Sequence, residues 1–266
     1  MNAIQKKCPL FNGFKQAVAA RVPQLGIWSA LTSNLLAEIL GEASFDWILF
    51  DTEHAPNDLQ QLIAQLQAIR GTPVHAAVRP AANDPVLIKR VLDIGFRNLL
   101  IPFVQNAAEA VLAVSATRYP PKGIRGVSAY QRNNGYGRVE GYFERIDDII
   151  TVAVQIETAQ SIDEIDAIAK VPGVDAVFVG PGDLAASLGH LGQTRHPDVQ
   201  NAIRLIGEKA GAVGIPAGIV AGNTEDAARY LDWGFSFMTV SSDIALFRGA
   251  VEQTSSSIRK LIPVSV

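Results

Sequence analysis

The sequence predicts an α/β fold, the (β/α)8 barrel, from two observations. Eight short apolar runs recur along the 266 residues, and most are apolar throughout, as parallel strands covered on both faces are. Segments with helical periodicity separate the runs, and repeated strand–helix alternation is the signature of this barrel, which typically takes ~250 residues. The predicted strands are Leu25–Leu31, Trp47–Asp51, His75–Arg79, Asn98–Phe103, Thr151–Glu157, Ala176–Gly180, Pro216–Val220 and Phe237–Val240.

The helices between these strands are marked by their ends. Asparagine or aspartate stands where each begins, because a side-chain oxygen there accepts a free backbone N–H, and glycine follows where several end. The helices predicted from these signals run from Asn57-Asp58 to Ile69, from Asn83-Asp84 to near Gly95, from Asn106 to about Thr117 and from Asn223 to Gly234.

One barrel domain is predicted to span residues 1–266, with a short lead-in over residues 1–24. A long segment rich in Pro, Gly, Arg and Tyr interrupts the alternation at residues 119–149, before the fifth strand. Structureless loops of this length are uncommon inside a compact domain and are usually functional or disordered. We favour a lid or substrate-facing loop, and a mobile surface insertion is the alternative.

Composition excludes several classes of function. With a net charge of −3 and a pI near 5.8, neither nucleic acid nor an anionic membrane is an expected partner. The one cysteine, Cys8, supports neither a disulfide framework nor a cysteine-based metal site. The lead-in lacks the apolar core of a secretory signal, and no run reaches the ~18 apolar residues of a membrane span, so we expect a soluble cytoplasmic protein. There is also no GxGxxG after a strand, no P-loop and no GxSxG motif.

Polar residues stand where the apolar runs end, and two of these positions indicate a metal site. Strand alternation places Gln155 and Glu157 on one face, and Asp183 follows the next strand. Two carboxylates at neighbouring strand ends suit Mg²⁺, which takes one or two carboxylates and completes its shell with substrate or water; Mn²⁺ or Co²⁺ would also fit. The alternative is that Glu157 caps the next helix and Asp183 forms an Asx turn. Either motif alone would not decide between a metal site and this alternative. Together, on neighbouring strands, the two motifs favour a metal site.

His54 follows Asp51 and Glu53 after the second strand. An imidazole beside carboxylates can serve as a general base near neutral pH, whereas the alternative is a histidine that caps a helix or bonds a backbone carbonyl. No His/Cys cluster has zinc spacing. The other histidines are predicted to be structural or solvated: His75 at the start of a strand, and His190 and His196 in a loop beyond Asp183.

Arg79 ends the third strand, where a guanidinium can bind a carboxylate or stabilise an enolate oxygen. The alternative is a salt bridge to Glu53 or another carboxylate at the rim. Gly180-Pro-Gly182 could expose backbone N–H groups to an anion, although this signal is weak alone. None of the eight lysines ends a predicted strand, so a Schiff-base aldolase is disfavoured and a metal should polarise any substrate carbonyl.

Several tracts resemble one enzyme family: FDWILFDTEHAPNDL, VRPAANDPVLIKRVLDIGF, TRYPPKGIRGVS, VQIET, VFVGPGDLAASLGHLG and RYLDWG. They are similar to the divalent-metal-dependent class II aldolases that cleave 2-oxo-3-deoxy sugar acids, and the resemblance runs from Phe14 to Arg259. It implies a barrel of the phosphoenolpyruvate/pyruvate superfamily. Three tracts, LLIPFV, RGVSAYQRNN and SLGHLGQTRHPDVQ, favour the branch acting on 2-dehydro-3-deoxyglucarate, and 4-hydroxy-2-oxoheptanedioate is the alternative substrate.

The resemblance also implies roles for the substrate-binding and metal-binding residues. Glu157 and Asp183 bind the metal, Mg²⁺ in the first place. Gln155 and the backbone amides of Gly182 and Asp183 hold the carboxylate of the 2-oxo acid. Gly182 replaces the usual Ser or Ala of the family, but its amide survives. Ser241-Ser242 stands where the family commonly has a glycine, and a side chain there, at the end of the last strand, could narrow the aldehyde pocket.

For the chemical step the resemblance implies that Arg79 steadies the enolate and His54 is the acid/base group. Asp93 matches the position that raises the basicity of this histidine. Because Asp93 falls near the end of a helix, we expect it to reach His54 of a neighbouring subunit in a homo-oligomer, a hexamer by resemblance. The apolar C-terminus, Ile244–Ile262, would suit packing against a partner. Arg125, in the long loop, is a candidate for a cation at the rim that binds a distal substrate carboxylate.

Three rival functions remain open. The first is a lyase acting on a CoA thioester, which would want a basic groove for nucleotide phosphates that the sequence lacks. The second is a proton-transferring epimerase using the same base and metal. The third is a catalytically silent barrel that binds a dicarboxylate, although such a barrel has no reason to keep all of the polar residues above.

Overall fold

A computed structural model describes residues 10–262 of the chain, so Cys8 lies outside the described residues. Eight parallel strands pair in chain order and the first pairs with the last, which closes the barrel and confirms the predicted fold class. The strands are β1 Gln24–Ser29, β2 Trp47–Asp51, β3 His75–Arg79, β4 Asn98–Ile101, β5 Thr151–Ile156, β6 Ala176–Val179, β7 Ala217–Val220 and β8 Phe237–Ser242.

Helices surround this sheet. They are α1 Gly13–Ala19, α2 Asn34–Glu42, α3 Leu59–Ala68, α4 Pro85–Asp93, α5 Ala107–Thr117, α6 Tyr142–Ile149, α7 Ala159–Asp163, α8 Ile165–Ala169, α9 Pro181–Ser187, α10 Pro197–Val213, α11 Thr224–Asp232 and α12 Asp243–Arg259, with a 3₁₀ turn at Arg132–Asn134. None of the helices among residues 10–262 combines the length and the apolar character that crossing a membrane requires.

The helix starts expected from side-chain caps are confirmed. The side-chain oxygen of Asp58 accepts the N–H of Gln61 at 2.8 Å and caps α3. The corresponding caps of α4, α5 and α11 are Asp84, Asn106 and Asn223. Each cap satisfies an N–H that would otherwise lack a partner in the first turn, which is why these residues predicted helix starts so closely.

The strands alternate between two buried surfaces. Every residue of β2 and β5 is buried, because one face of the strand packs against the helices and the other fills the barrel. Inside the barrel, Phe14 of α1 closes one end and packs with Trp47 and Phe237 at ring-centroid distances of 5.3 and 6.2 Å. Gly26 leaves the space that the Trp47 ring occupies, since a Cβ there would lie 2.3 Å from the ring. The aromatic plug therefore leaves only the opposite end open for a site.

The long segment 119–149 is not a structureless loop and does not cover the site of its own barrel. It contains the 3₁₀ turn and helix α6, and it connects the end of α5 to the start of β5. Connections that precede a strand lie at the N-terminal ends of the strands, opposite the face where barrel sites form. The Nη1 atom of Arg132 accordingly donates to the carbonyl of Ile94, at the end of α4. The lid interpretation is wrong for the single chain.

Helix α12 continues directly from β8 and presents its apolar residues to solvent. Only Asp243, its first residue, is buried. Four large side chains of the helix are about half exposed or more: Leu246, Phe247, Val251 and Ile258. An exposed apolar surface of this kind usually marks an interaction site.

Candidate active site

The inward-facing residues at the ends of the first strands form the floor of the site. The pleat that points Trp47 and Leu49 into the barrel also points Asp51 inward, and the register of β2 and β3 pairs Asp51 with Arg79. The cavity above them has a volume of about 250 Å³. Its lining is Trp28, Arg79, Gln155, Glu157, Gly180, Pro181, Gly182, Asp183, Thr194, Val220, Gly222 and Asp226. Arg79, Gln155, Glu157, Gly182 and Asp183 are thus brought together as the sequence predicted.

Arg79 is held rigidly from three sides. Its Nε and Nη2 atoms donate to the two carboxylate oxygens of Asp51 at 2.9 and 2.8 Å, and Nη1 lies 2.8 Å from Glu53. The Trp28 ring stacks on the guanidinium at 4.5 Å. Burial alone would raise the pKa of Asp51, but the hydrogen bonds and charge of Arg79 outweigh it and hold that pKa below its ordinary value. The salt bridge weighed as an alternative therefore exists, and it also fixes the guanidinium at the cavity.

Glu157 is a buried carboxylate with both oxygens held. Gln155 donates through Nε2 to Oε1 at 2.7 Å, and the backbone N–H of Phe103 donates to Oε2 at 3.1 Å. The side chain does not cap α7, which is capped by Thr158, so the capping alternative is wrong. Glycine fits at position 180, beside Glu157, because a Cβ there would lie 2.2 Å from Oε1 of Glu157.

The pKa of Glu157 is raised from 4.5 to about 7. Burial is the largest cause, and the negative charges of Asp183 and Glu53 add to it, whereas the Phe103 amide and Arg79 act in the opposite direction. Burial likewise raises the pKa of Glu53, against the charges of Arg79 and His54. The site therefore holds more negative charge than Arg79 neutralises.

This charge distribution fits a divalent cation. Glu157 and Asp183 offer the oxygen donors that Mg²⁺, Mn²⁺ and Co²⁺ accept. Asp183 lies exposed in the first turn of α9, where both it and Gly182 line the cavity. The Oε1 atom of Gln155, which also lines the cavity, is buried without a hydrogen-bond partner among the described residues. A bound cation would offset the burial and the repulsion from Asp183 and Glu53 that together raise the pKa of Glu157.

Phe103 is a site residue that the sequence did not reveal. It follows β4 with φ of +56°, a left-handed backbone conformation that costs a non-glycine residue about 1–3 kcal/mol and that clusters at functional sites. Its N–H donates to Glu157, so the strained conformation serves to orient the carboxylate. Because the contact is made by the backbone, no side-chain pattern could have predicted it.

His54 and Asp93 are not brought together within one chain. The His54 side chain is two-thirds exposed, and its Nε2 lies 3.9 Å from Glu53 at the strand ends that carry the site. Asp93 ends α4 at the opposite end of the barrel, where it pairs with Arg125 at 2.8 Å and accepts a hydrogen bond from Asn133 at 3.3 Å. A contact between His54 and the Asp93 of a neighbouring subunit remains a prediction.

Arg125 does not stand at the rim of the site. Its side chain is fully buried, pairs with Asp93, and stacks on the Tyr119 ring at 4.6 Å. The loop that carries it precedes β5 and therefore lies at the far end of the barrel. The expectation that Arg125 binds a distal substrate carboxylate in its own barrel is wrong for this reason.

Fold and site together define a class, the (β/α)8-barrel proteins with an acidic, arginine-containing cavity at the C-terminal ends of the strands. Within this class the chain belongs to the HpcH/HpaI aldolase/citrate lyase family, whose sequence model matches residues 24–250. The match confirms the resemblance to an aldolase family predicted from the sequence.

Relatives of this family extend over nearly the whole chain. A protein of Enterobacter sp. (strain 638) named 5-keto-4-deoxy-D-glucarate aldolase is 53% identical over 249 residues, which cover 94% of this chain and 97% of the relative. A protein of the same name from Escherichia coli (strain K12) is 52% identical over the same shares. The crystal structure of a family member from Burkholderia cenocepacia J2315 superposes with a TM-score of 0.90 at 40% identity and covers 93% of this chain and 99% of that chain.

Proposed function

We propose that this chain cleaves 2-dehydro-3-deoxyglucarate to pyruvate and tartronate semialdehyde, in a reversible, metal-dependent aldol reaction. This substrate has the same constitution as 5-keto-4-deoxyglucarate numbered from its other end, and the two differ in configuration at C5. The observation that carries the proposal is the pair of carboxylates, Glu157 and Asp183, beside the rigidly held Arg79. Relatives at 52–53% identity that are named 5-keto-4-deoxy-D-glucarate aldolase support it, because cleavage of either compound gives pyruvate and tartronate semialdehyde.

Glu157 and Asp183 would hold the divalent cation, Mg²⁺ in the first place, with Mn²⁺ and Co²⁺ as alternatives. When bound, the cation supplies a Lewis acid that polarises the C2 carbonyl of the 2-oxo acid. Gln155, which lies against Glu157, and the backbone amides of Gly182 and Asp183 orient the adjacent C1 carboxylate. The half of the substrate that becomes pyruvate is thereby fixed at the floor of the cavity.

Bond cleavage then moves charge toward Arg79. As the C3–C4 bond breaks, its electron pair forms the enolate of pyruvate, and the negative charge develops on the C2 oxygen. A guanidinium that is already oriented stabilises this charge without reorganising during the reaction. Asp51 and Trp28 supply that orientation.

His54 is the proposed acid/base group. It removes the proton of the C4 hydroxyl through a water molecule, so that C4 leaves as the aldehyde carbon of tartronate semialdehyde. A proton delivered to C3 of the enolate completes pyruvate. The exposed position of His54 at the rim is compatible with transfer through water. Asp93 of a neighbouring subunit would raise the basicity of His54, as the sequence resemblance implies.

A homo-oligomer, a hexamer by resemblance, belongs to this proposal. Helix α12 exposes Leu246, Phe247, Val251 and Ile258, and a second copy of the chain that covers this surface would bury them. Assembly would also give Asp93 a route to a neighbouring His54.

The experiment that tests the proposed function couples pyruvate release to lactate dehydrogenase, with 2-dehydro-3-deoxyglucarate as substrate. Pyruvate should appear, disappear with EDTA and return with Mg²⁺, and Glu157→Ala should abolish the metal-dependent turnover. Release from 4-hydroxy-2-oxoheptanedioate alone would reassign the substrate. Turnover that persists in a metal-stripped sample would refute the mechanism, and no pyruvate from either compound would favour a silent dicarboxylate-binding barrel.

A further inference from the structure

The proposed substrate carries a second carboxylate, on the half that leaves as tartronate semialdehyde. Arg79 lies at the floor of the cavity, where the pyruvate half is expected to bind. Glu157, Asp183 and Asp226 also line this cavity, so its walls are acidic. A distal carboxylate therefore needs a cation elsewhere at the rim, and the buried Arg125 of the same chain does not supply one.

One residue fits this requirement by its position in the fold. Barrel sites are built from the loops that follow the strands. In the described part of the chain these loops contain a single lysine or arginine, Arg195, in the connection between α9 and α10. The loops searched cover residues 30–33, 52–58, 80–84, 102–106, 157–158, 180, 188–196 and 221–223, and β8 runs directly into α12.

The loop that carries Arg195 is fixed beside the cavity. Its neighbour Thr194 lines the cavity, and Gln200 of α10 donates to the Thr194 carbonyl at 2.8 Å. The same loop is closed by a cluster in which His190 pairs with Asp198 at 3.1 Å and stacks on His196 at 3.5 Å. Arg195 is therefore presented from a loop with a defined backbone.

The same histidine cluster could be interpreted as a metal site, because ligand atoms of His190, His196 and Asp198 lie within 4.8 Å of one another. However, the two rings are nearly parallel, with an interplanar angle of 16°. Imidazole lone pairs lie in the ring plane, so two stacked rings cannot both direct them at one ion. The contacts within this cluster instead hold the two ends of the loop together, in agreement with the predicted structural role of these histidines.

The charges around Arg195 favour an anion. Arg229 contacts one carboxylate oxygen of Asp226, and Nη2 of Arg195 lies 3.7 Å from the other. Two guanidinium groups thus share one carboxylate, and one positive charge among these three side chains is not compensated. The Arg195 side chain is 67% exposed and its contact with Asp226 is long, so it can reorient toward a ligand. Asp226 itself lines the cavity, which places the uncompensated charge at its rim.

We propose that Arg195 binds the distal carboxylate of the substrate and determines the preference for aldehydes that carry one. This inference rests on the proposed function and deepens it. A guanidinium can hold a carboxylate by two parallel hydrogen bonds, which fixes the aldehyde end of the substrate as well as attracting it. Arg195 would act on selectivity, whereas Arg79 acts on the developing enolate.

The test uses the aldol direction, with pyruvate and two aldehydes of matched shape. Tartronate semialdehyde and glyceraldehyde differ only in that a carboxylate replaces a hydroxymethyl group. For Arg195→Ala, the ratio of kcat/KM for tartronate semialdehyde to kcat/KM for glyceraldehyde should fall about tenfold to a hundredfold, the usual effect of losing a charge-assisted hydrogen bond. Arg195→Lys should keep part of the ratio. Arg204→Ala, which breaks only a surface pair on α10, is the control.

The outcomes separate this inference from the function on which it rests. A wild-type protein that condenses pyruvate with neither aldehyde would overturn the proposed function and this inference with it. A wild-type protein active on both, with an unchanged ratio in Arg195→Ala, would overturn only the role of Arg195. Equal losses with both aldehydes, together with a lowered unfolding temperature, would assign Arg195 a structural role and would also overturn it.

Discussion

Glu157→Gln should stabilise the metal-free protein at pH 8 and change its stability little at pH 5. The pKa of Glu157 is about 7 in the folded chain against 4.5 ordinarily, so the folded state binds this proton more tightly than the unfolded state. The stabilisation that this bound proton gives the folded wild-type protein is complete below pH 4.5 and is lost as the pH rises through 7. At ~1.4 kcal/mol per pH unit, ionised Glu157 costs roughly 3 kcal/mol at pH 8 and under about 1 kcal/mol at pH 5.

Glutamine is a suitable replacement because the local contacts can adapt. The Oε2 position would still accept the Phe103 N–H, and Gln155 can rotate its amide so that its unpaired Oε1 faces the new NH₂ group. The substitution would therefore remove the charge without increasing the number of unpaired polar atoms on Gln155, because Nε2 would lose its partner as Oε1 gains one. The roughly 3 kcal/mol at pH 8 corresponds to a rise of about 5 °C in Tm for a chain of this length.

The assay is denaturant unfolding of both proteins in EDTA at pH 5 and pH 8, at one protein concentration because assembly contributes to stability. The difference between variant and wild type should grow by about 2 kcal/mol between the two pH values. Asp51, whose pKa is held below its ordinary value of 3.8, stays ionised at both pH values in either folded protein and does not contribute to this difference. Added Mg²⁺ should stabilise only the wild type. If the difference in unfolding free energy between variant and wild type does not depend on pH, the argument that ionised Glu157 destabilises the metal-free fold is refuted.

Three further predictions test other parts of the site. Gly180→Ala should weaken Mg²⁺ binding, measured by calorimetry, at least about tenfold, because its Cβ displaces Glu157. Gly182→Ala is the control and should bind Mg²⁺ normally, because no atom lies within 4 Å of its Cβ. Equal effects of the two substitutions would contradict this prediction. Asp51→Asn should lower the unfolding free energy by roughly 3 kcal/mol and reduce kcat, because Arg79 loses its bidentate partner. Wild-type kinetics in this variant would exclude a role for Asp51 in positioning Arg79. Removal of helix α12 should reduce the molecular mass measured by light scattering to that of smaller assemblies, and an unchanged mass would show that α12 is not at the interface.

The fold was predictable because its signals are local. Strands β2 and β3 have the predicted bounds, and the other strands differ from prediction by one or two residues at their ends. A strand covered on both faces must be apolar along its whole length, and a helix start must satisfy its free N–H groups. Each requirement acts on a few consecutive residues and is therefore visible in the sequence.

The grouping of Arg79, Gln155, Glu157 and Asp183 was predictable for a related reason. Closing a parallel barrel brings all C-terminal strand ends to one face, so a polar residue at each end implies a shared cavity. What the sequence could not supply was the pairing within the cavity. Asp51 was expected only as a neighbour of His54, but it is the principal partner of Arg79, because that pairing depends on the register between two strands.

The errors have one physical source. The long loop was expected near the site because β5 carries Gln155, but a connection that precedes a strand lies at the end opposite to the residues closing that strand. The same rule applies to His75, which was predicted to be structural or solvated because it starts a strand, and it does lie at that end, against Gly13 of α1. Applied within one chain, it excludes Arg125 from the rim of its own barrel and leaves only cations that follow a strand. It thereby selects Arg195, which shares the loop between α9 and α10 with Thr194. The strand end at which a residue lies is therefore a stronger criterion for function than its distance in sequence from a known site residue.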